Sequence, residues 1–355
     1  MKNKIKILVM LLIFIFPWIQ ALATSIITFS PMYPVFSRNN EQLVYISNPY
    51  NINKAKIIKI STKNGAILKS VPLRLSSRVK VFAATPDGFK FLATSPTGIA
   101  VIHNGTSKVL RTLPYPSKYQ HNAYSFRQSD DGVLLAIPSI TSKSRKINVI
   151  HTGTGKLMYV IDLLKNQKWV RYPTIRAIGF SHKRRYLAYV YETSDIFTLH
   201  VYDLYKKAET LKLQIPAQKY DEGEIRFSKN GNYLIFTGIN MKQLFLLDLK
   251  KRSLQTLKLG YSAFTGFTPD DQKLILVQFY KKRILLKNIK TGKEIVRPAN
   301  FEQQQGTYAS GTSIVQSADR SLLALPIRSL NYENINNFLL VNAQNGQVLR
   351  QIKAK

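Results

Sequence analysis

The chain of 355 residues contains no cysteine, two Trp and only 19 Asp and Glu, and it lacks any apolar run long enough for an ordinary membrane span. Without cysteine there are no disulfides, thiolate metal sites, cysteine nucleophile or lipid anchor on Cys. So few acids leave little material for paired general acid and base chemistry. The longest apolar run, Ile7 to Ile19, is shorter than the ~20 residues that a spanning helix needs. What the chain has in abundance is positive charge. Fifty-two Lys and Arg give a net charge of +33, which implies anionic surroundings or partners and says nothing about fold. With 45% hydrophobic and 20% charged residues, the composition is that of a globular chain long enough for one large domain or two small ones.

Lys2, Lys4 and Lys6 precede the apolar run, and Ala21-Leu22-Ala23 follows it as a small-x-small cleavage signal. This order predicts a secretory signal peptide over residues 1–23, cleaved before Thr24; an uncleaved anchor is the competing reading. Only three lysines leave with that segment, so the mature chain still carries +30. An exported chain with no cysteine fits a bacterial envelope, periplasmic or secreted, better than a disulfide-forming secretory pathway. Asn104-Gly105-Thr106 is formally a glycosylation sequon and reads more simply as a tight Asn-Gly turn.

Self-similarity is the informative signal. A hydroxylated residue, a short polar turn and an apolar residue six positions on recur as Ser37 to Leu43, Thr85 to Phe91, Ser129 to Leu135, Ser181 to Leu187, Ser228 to Leu234, Thr268 to Leu274 and Ser317 to Leu323. The seven starts are 48, 44, 52, 47, 40 and 49 residues apart. Each copy has a short apolar segment before it and an alternating run after it, which reads as strand, turn, strand. A third run then ends in a polar turn, as in Val149 to Lys156 and Leu286 to Lys293, and a fourth closes the unit, as in Thr210 to Ile215. Four antiparallel strands per unit of ~40 to 50 residues is a β-propeller blade, whose small sheet buries both faces only by stacking in a ring. The expected fold is therefore all-β, a seven-bladed propeller over residues 24–355. Blades are expected near 31–76, 77–121, 122–172, 173–219, 220–260, 261–308 and 309–355. Two tandem β-sandwiches are the alternative, but they would not need the same turn chemistry seven times. The strand-like segment Thr24 to Phe29 is expected to pair with the last blade and close the ring.

The turns around Thr85 to Gly88, Ser129 to Gly132, Ser228 to Gly231 and Thr268 to Asp271, with Tyr202-Asp203, Leu247-Asp248 and Lys287-Asn288 further on, resemble WD40 and YVTN-type propeller repeats. Tyr202, Leu247, Lys287 and Val341 stand where the WD40 pattern has Trp, so the bacterial WD40-like, YVTN-type group is the nearer resemblance. The likeness covers nearly the whole mature chain and implies a fold rather than an activity.

Motifs that would carry chemistry are scarce. Gly153-Thr154-Gly155-Lys156 looks like part of a phosphate loop, yet Thr291-Gly292-Lys293 and Asn345-Gly346-Gln347 occupy the same place in their own repeats, so all three read as hairpin turns. His103, His121, His151, His182 and His200 have no metal-ligand spacing, and no GxSxG elbow is present. No metal, cofactor or catalytic residue is expected. The repeat-turn acids Asp87, Asp130, Asp131, Asp270, Asp271 and Asp319 read as caps bonding to following backbone amides. A lactonase- or hydrolase-like enzyme would need loop acids to converge at the channel mouth, from Glu192, Asp195, Asp221, Glu222 and Glu333.

The polar turns of every unit fall on one face of a propeller, and the longer, more varied loops fall on the other. Tyr119, Trp169, Arg171, Tyr172, Arg176, Tyr220, Tyr280, Lys281, Lys282, Tyr308, Arg328 and Tyr332 lie on the loop side. Exposed aromatics and Arg are the residue types of interface hot spots. The expected function is a non-enzymatic scaffold of the cell envelope that binds a protein or peptide through this face. Alternatives are an electrostatic binder of anionic lipid or polysaccharide, with nucleic acid the least fitting ligand for an exported chain, and the propeller enzyme above.

Overall fold

The computed structural model describes residues 35–37, 39–47, 56–72, 80–84, 90–95, 98–103, 106, 108–115, 126–140, 145–163, 174–193, 196–215, 223–238, 243–258, 264–278, 281–299, 314–317, 319–327 and 337–353. These hold 28 β-strands and no α-helix, grouped into seven four-stranded antiparallel sheets. Residues 31–355 form one compact unit. The protein is a seven-bladed β-propeller, and each blade takes its strands in chain order from the axis outward.

Blade one is β1 (Val35–Phe36), β2 (Gln42–Ser47), β3 (Lys56–Ser61) and β4 (Ile67–Pro72); blade two is β5 (Lys80–Ala84), β6 (Lys90–Ser95), β7 (Gly98–His103) and β8 (Val109–Pro114). Blade three is β9 (Arg127–Gln128), β10 (Leu134–Ile140), β11 (Arg145–His151) and β12 (Leu157–Asp162); blade four is β13 (Thr174–Phe180), β14 (Tyr186–Thr193), β15 (Ile196–Asp203) and β16 (Ala208–Ile215). Blade five is β17 (Gly223–Phe227), β18 (Tyr233–Gly238), β19 (Gln243–Asp248) and β20 (Ser253–Lys258); blade six is β21 (Phe264–Phe267), β22 (Lys273–Gln278), β23 (Arg283–Asn288) and β24 (Glu294–Pro298). Blade seven is β25 (Val315–Gln316), β26 (Leu322–Ile327), β27 (Asn337–Asn342) and β28 (Val348–Lys353).

The two middle strands of a blade are covered on both sides by neighbouring blades, which is why they read as near-continuous apolar runs. Leu244 to Leu247 on β19 are all buried, whereas the outermost β20 has none buried, with only Leu254 and Leu257 half-buried. The core consists of blade-to-blade clusters. One joins Phe197, Leu199 and Val201 to Phe227, Phe236 and Phe245 across blades four and five, where Phe236 and Phe245 stack at 6.1 Å. The backbones meet closely there: a Cβ on Gly179 would lie 2.6 Å from the Ile225 carbonyl oxygen, so no other residue fits without a shift.

Blade seven draws all four strands from residues 315–353 and blade one from residues 35–72. Among the described residues no strand is exchanged between chain ends. The seam is closed by side chains: Phe36, Leu43, Tyr45, Ile58 and Ile60 pack against Ala324, Phe338, Leu340 and Ile352. Tyr45 meets Phe338 edge-on at 4.9 Å. The Thr24 to Phe29 segment expected to close the ring lies outside the described residues.

Candidate functional site

The repeated hydroxyl is the pivot of the first turn of each blade. In blade five the Tyr233 amide donates to Ser228 Oγ at 2.8 Å, Ser228 Oγ donates to Asn230 Oδ1 at 2.9 Å, and the Asn232 amide donates to the same oxygen at 2.8 Å. The same three bonds recur around Ser129 and Asp131, Thr268 and Asp270, and Ser317 and Asp319. Blade four keeps only the hydroxyl bond, from the Tyr186 amide to Ser181, because Lys183 stands where the others carry Asp or Asn. The caps read from the sequence at Asp131, Asp270 and Asp319 are thus present. Burial would raise the Asp319 carboxyl, but Ser317, the Ser321 amide, Asn40 and the Ser321 hydroxyl hold it down at about 2.

Asp130 and Asp271 correct the reading of all these acids as local caps. Among the described residues, the one three after each repeated hydroxyl has positive φ: Asn40, Gly132, Arg184, Gly231, Asp271 and Arg320. Where that residue has a polar side chain, it reaches back to the preceding blade. Asn40 Nδ2 donates to Ser321 Oγ at 3.2 Å, Arg184 pairs with Asp131 at 3.0 Å, and buried Asp271 accepts from the Lys229 and Asn230 amides, both at 2.7 Å. Buried Arg320 donates to Asp271 at 3.3 Å and lies 3.7 Å from Asp130 of blade three, on the far side of the ring. His182 of blade four lies 3.3 Å from the same Asp130 carboxylate. Burial would raise the Asp130 carboxyl; the His182 hydrogen bond and the Arg320, His182 and Arg226 charges outweigh it and hold the group below its ordinary value. Held ionised, it is a poor proton donor. These charges form an inter-blade clasp at the turn-side mouth, which no local pattern announces because its charged partners are about 40 to 190 residues apart.

The second turn of each blade, between its third and fourth strands, lies on the same face. The Leu249 amide donates to the Asn232 carbonyl of the first turn at 2.8 Å, and Leu204, Ile289 and Ala343 do the same in their blades. Asp248 Oδ1 accepts from the Lys250 and Lys251 amides, as Asn288 does from Lys290 and Thr291, and Asp203 from Tyr205 and Lys206. This turn also ends in a left-handed residue, glycine at 65, 155, 292 and 346 but Lys207 and Arg252 in blades four and five.

Of the twelve loop-side residues singled out by sequence, the structure describes three. Lys281 and Lys282 are exposed between β22 and β23, and neither is ion-paired among the described residues. Arg176 is half-buried at the loop end of β13 and ion-paired with Glu192 across the sheet, so it is a structural cation rather than a free one. Glu192 is thereby engaged as well. Tyr119, Trp169, Arg171, Tyr172, Tyr220, Tyr280, Tyr308, Arg328 and Tyr332 lie outside the described residues, as do Asp195, Asp221, Glu222 and Glu333. Within the channel, Glu224 on β17 bonds Arg226 at 2.9 Å and lies 4.0 Å from Arg127 on β9.

Fold and faces together define a propeller whose turn side is uniform and internally bonded and whose loop side is varied. The chain matches no family model and no curated protein. Among solved structures it is similar to Kuenenia stuttgartiensis hydrazine synthase, with 12% identity and a TM-score of 0.57, covering 92% of this chain and 96% of that one. It is also similar to a chain in the crystal structure of the mitotic checkpoint complex, with 10% identity and a TM-score of 0.56, covering 83% of each. At such identities the likeness is one of fold.

Proposed function

We propose that the chain is an exported, non-enzymatic scaffold of the cell envelope, of the bacterial WD40-like type, that binds a protein or peptide partner on its loop-rich face. The supporting observation is the contrast between the two faces. The first-turn connections span five residues in every blade, as at Ser37 to Glu41, Ser181 to Arg185 and Ser317 to Ser321. Loop-side connections range from residues 96–97 to residues 299–314. A rigid scaffold that holds one end constant and varies the other presents its recognition surface at the varied end. The neighbouring checkpoint-complex chain belongs to a protein assembly, in keeping with this use of the fold. Among the described residues, the carboxylates Asp130 and Asp271 converge at the turn-side mouth around the shared cation Arg320, an arrangement that suits a structural clasp better than acid–base chemistry.

The test is a pull-down from an envelope extract at low and physiological salt, with the wild-type chain beside the triple variant Trp169→Ala, Lys281→Glu, Lys282→Glu. The expected result is a defined protein partner held at physiological salt and lost in the variant, with an unchanged melting curve. A partner retained by the variant refutes the assigned face. Recovery of anionic material alone, and only at low salt, replaces the reading with electrostatic binding.

A further inference from the structure

The second turns of blades four, five and six each place two lysines in solvent: Lys206 and Lys207, Lys250 and Lys251, and Lys290 and Lys293. Each turn is locked by the same side-chain cap, from Asp203, Asp248 or Asn288, and is tied to the first turn of its own blade. Homologous locks on adjacent blades thus place all six lysines on turns of the same face of the ring. The acids of these turns are engaged by groups other than the six amines. Asp203 is buried under Arg185, Asp248 caps two amides, Asp271 is enclosed by the clasp, and Asp270 bonds Thr268, the Gln272 amide and Gln344.

A second observation is independent of the charge count. Lys207 and Arg252 have φ of 52° and 54° at the position that four other blades give to glycine. A side chain in this left-handed region is strained where glycine is not. The left-handed Asn40, Arg184, Asp271 and Arg320 of the first turns bond the preceding blade through their side chains, whereas Lys207 and Arg252, like the left-handed Lys282 on the loop side, make no side-chain hydrogen bond or ion pair among the described residues. Exposed cations are thus held at a conformational cost with no return inside the fold. Backbone strain of this kind is found where a surface meets something else.

We propose that the turn face of blades four to six docks on an anionic lipid bilayer. The cations stand on the second turns of three successive blades, which suits a charged plane. They are chiefly lysines, point charges without the fixed fork that reads individual phosphates. Tyr205, 65% exposed, stands among them. An amphipathic aromatic ring at the edge of a cationic patch is the residue type that settles at a bilayer's headgroup level. This surface lies opposite the loop face and is independent of the partner proposed there.

The test is vesicle co-sedimentation of residues 31–355, whose seven blades are complete without the apolar run Ile7 to Ile19. The probes are phosphatidylcholine vesicles with and without phosphatidylglycerol, at low and physiological salt. The wild-type chain binds only the anionic vesicles and releases as salt rises. Each lysine near an anionic surface contributes binding worth on the order of fivefold in affinity. Lys207→Gly with Arg252→Gly therefore weakens binding roughly 25-fold, while its melting temperature stays level or rises because the strain is relieved. The loop-face pair Lys281→Glu and Lys282→Glu keeps full vesicle binding. The proposal is overturned if the glycine double variant binds as the wild type does, if the loop-face pair loses vesicle binding instead, or if the wild type takes up heparin but not anionic vesicles.

Discussion

Phe338→Ala at the seam tests how this ring is held shut. Phe338 is fully buried against Tyr45 of blade one, and with no exchanged strand among the described residues, blades seven and one are joined by that cluster and by the Asn40 side-chain bonds to Ser321 and Asp319. Removing a buried phenyl ring costs about 3–5 kcal/mol. For a chain of this size, at roughly 2 °C or slightly more per kcal/mol, the melting temperature falls by about 6–12 °C. Phe236→Ala, equally buried within the junction of blades four and five, removes the same volume and serves as the control. The two differ in where the ring opens. Native-state hydrogen exchange followed by mass spectrometry should show faster exchange confined to β1–β4 and β25–β28 in Phe338→Ala, and a global loss of protection in Phe236→Ala. Equal exchange patterns in the two variants, or a seam variant that melts within about 1 °C of wild type, a loss well under 1 kcal/mol, refute the side-chain seam.

Further expectations concern the turns. Asp271→Asn keeps the shape and tolerates the left-handed backbone but leaves Arg320 with the Asp130 carboxylate as its one remaining partner in the clasp, and should lower stability by about 1.5–3 kcal/mol in chemical denaturation. Gly231→Ala meets nothing within 4 Å, so its loss of about 1 kcal/mol reports only the 74° φ, and a neutral result would contradict that backbone assignment. Asp319 has a folded pKa of about 2, below its ordinary 3.8. Its contribution is therefore fully present above the unfolded value and is lost as pH falls from about 4 through 2. Asp319→Asn, which still accepts from Ser317 and Ser321, should flatten the acid limb of a melting-temperature profile between pH 5 and 2, and an unchanged limb would show that other carboxylates dominate.

How much the sequence revealed depended on whether the information was local. The hydroxyl at Ser228 and the Asx at Asn230 are two residues apart and satisfy amides within the same turn, so their chemistry repeats visibly and fixes blade number and strand order. Arg320 owes its role to Asp130 and Asp271, which the ring alone brings to it, and nothing in their spacing announces the clasp. Arg176 looked like a loop-side binding residue because its type and position fitted, but its partner Glu192 faces it only through the β13–β14 register, which a bulge shifts between Ile175 and Ala177. The turn-face lysines were legible one by one. Their meaning came from φ, since the strain at Lys207 and Arg252 cannot be read from composition.

If the two faces have separate uses, a single comparison separates them. The wild-type chain, the Lys281→Glu, Lys282→Glu pair and the Lys207→Gly, Arg252→Gly pair are each assayed for the captured envelope partner and for phosphatidylglycerol vesicles, with melting curves as the folding control. The loop-face pair should lose the partner and keep the vesicles, and the turn-face pair should keep the partner and lose most vesicle binding. Either pair losing both ligands while still folded, or neither losing any, would contradict the division.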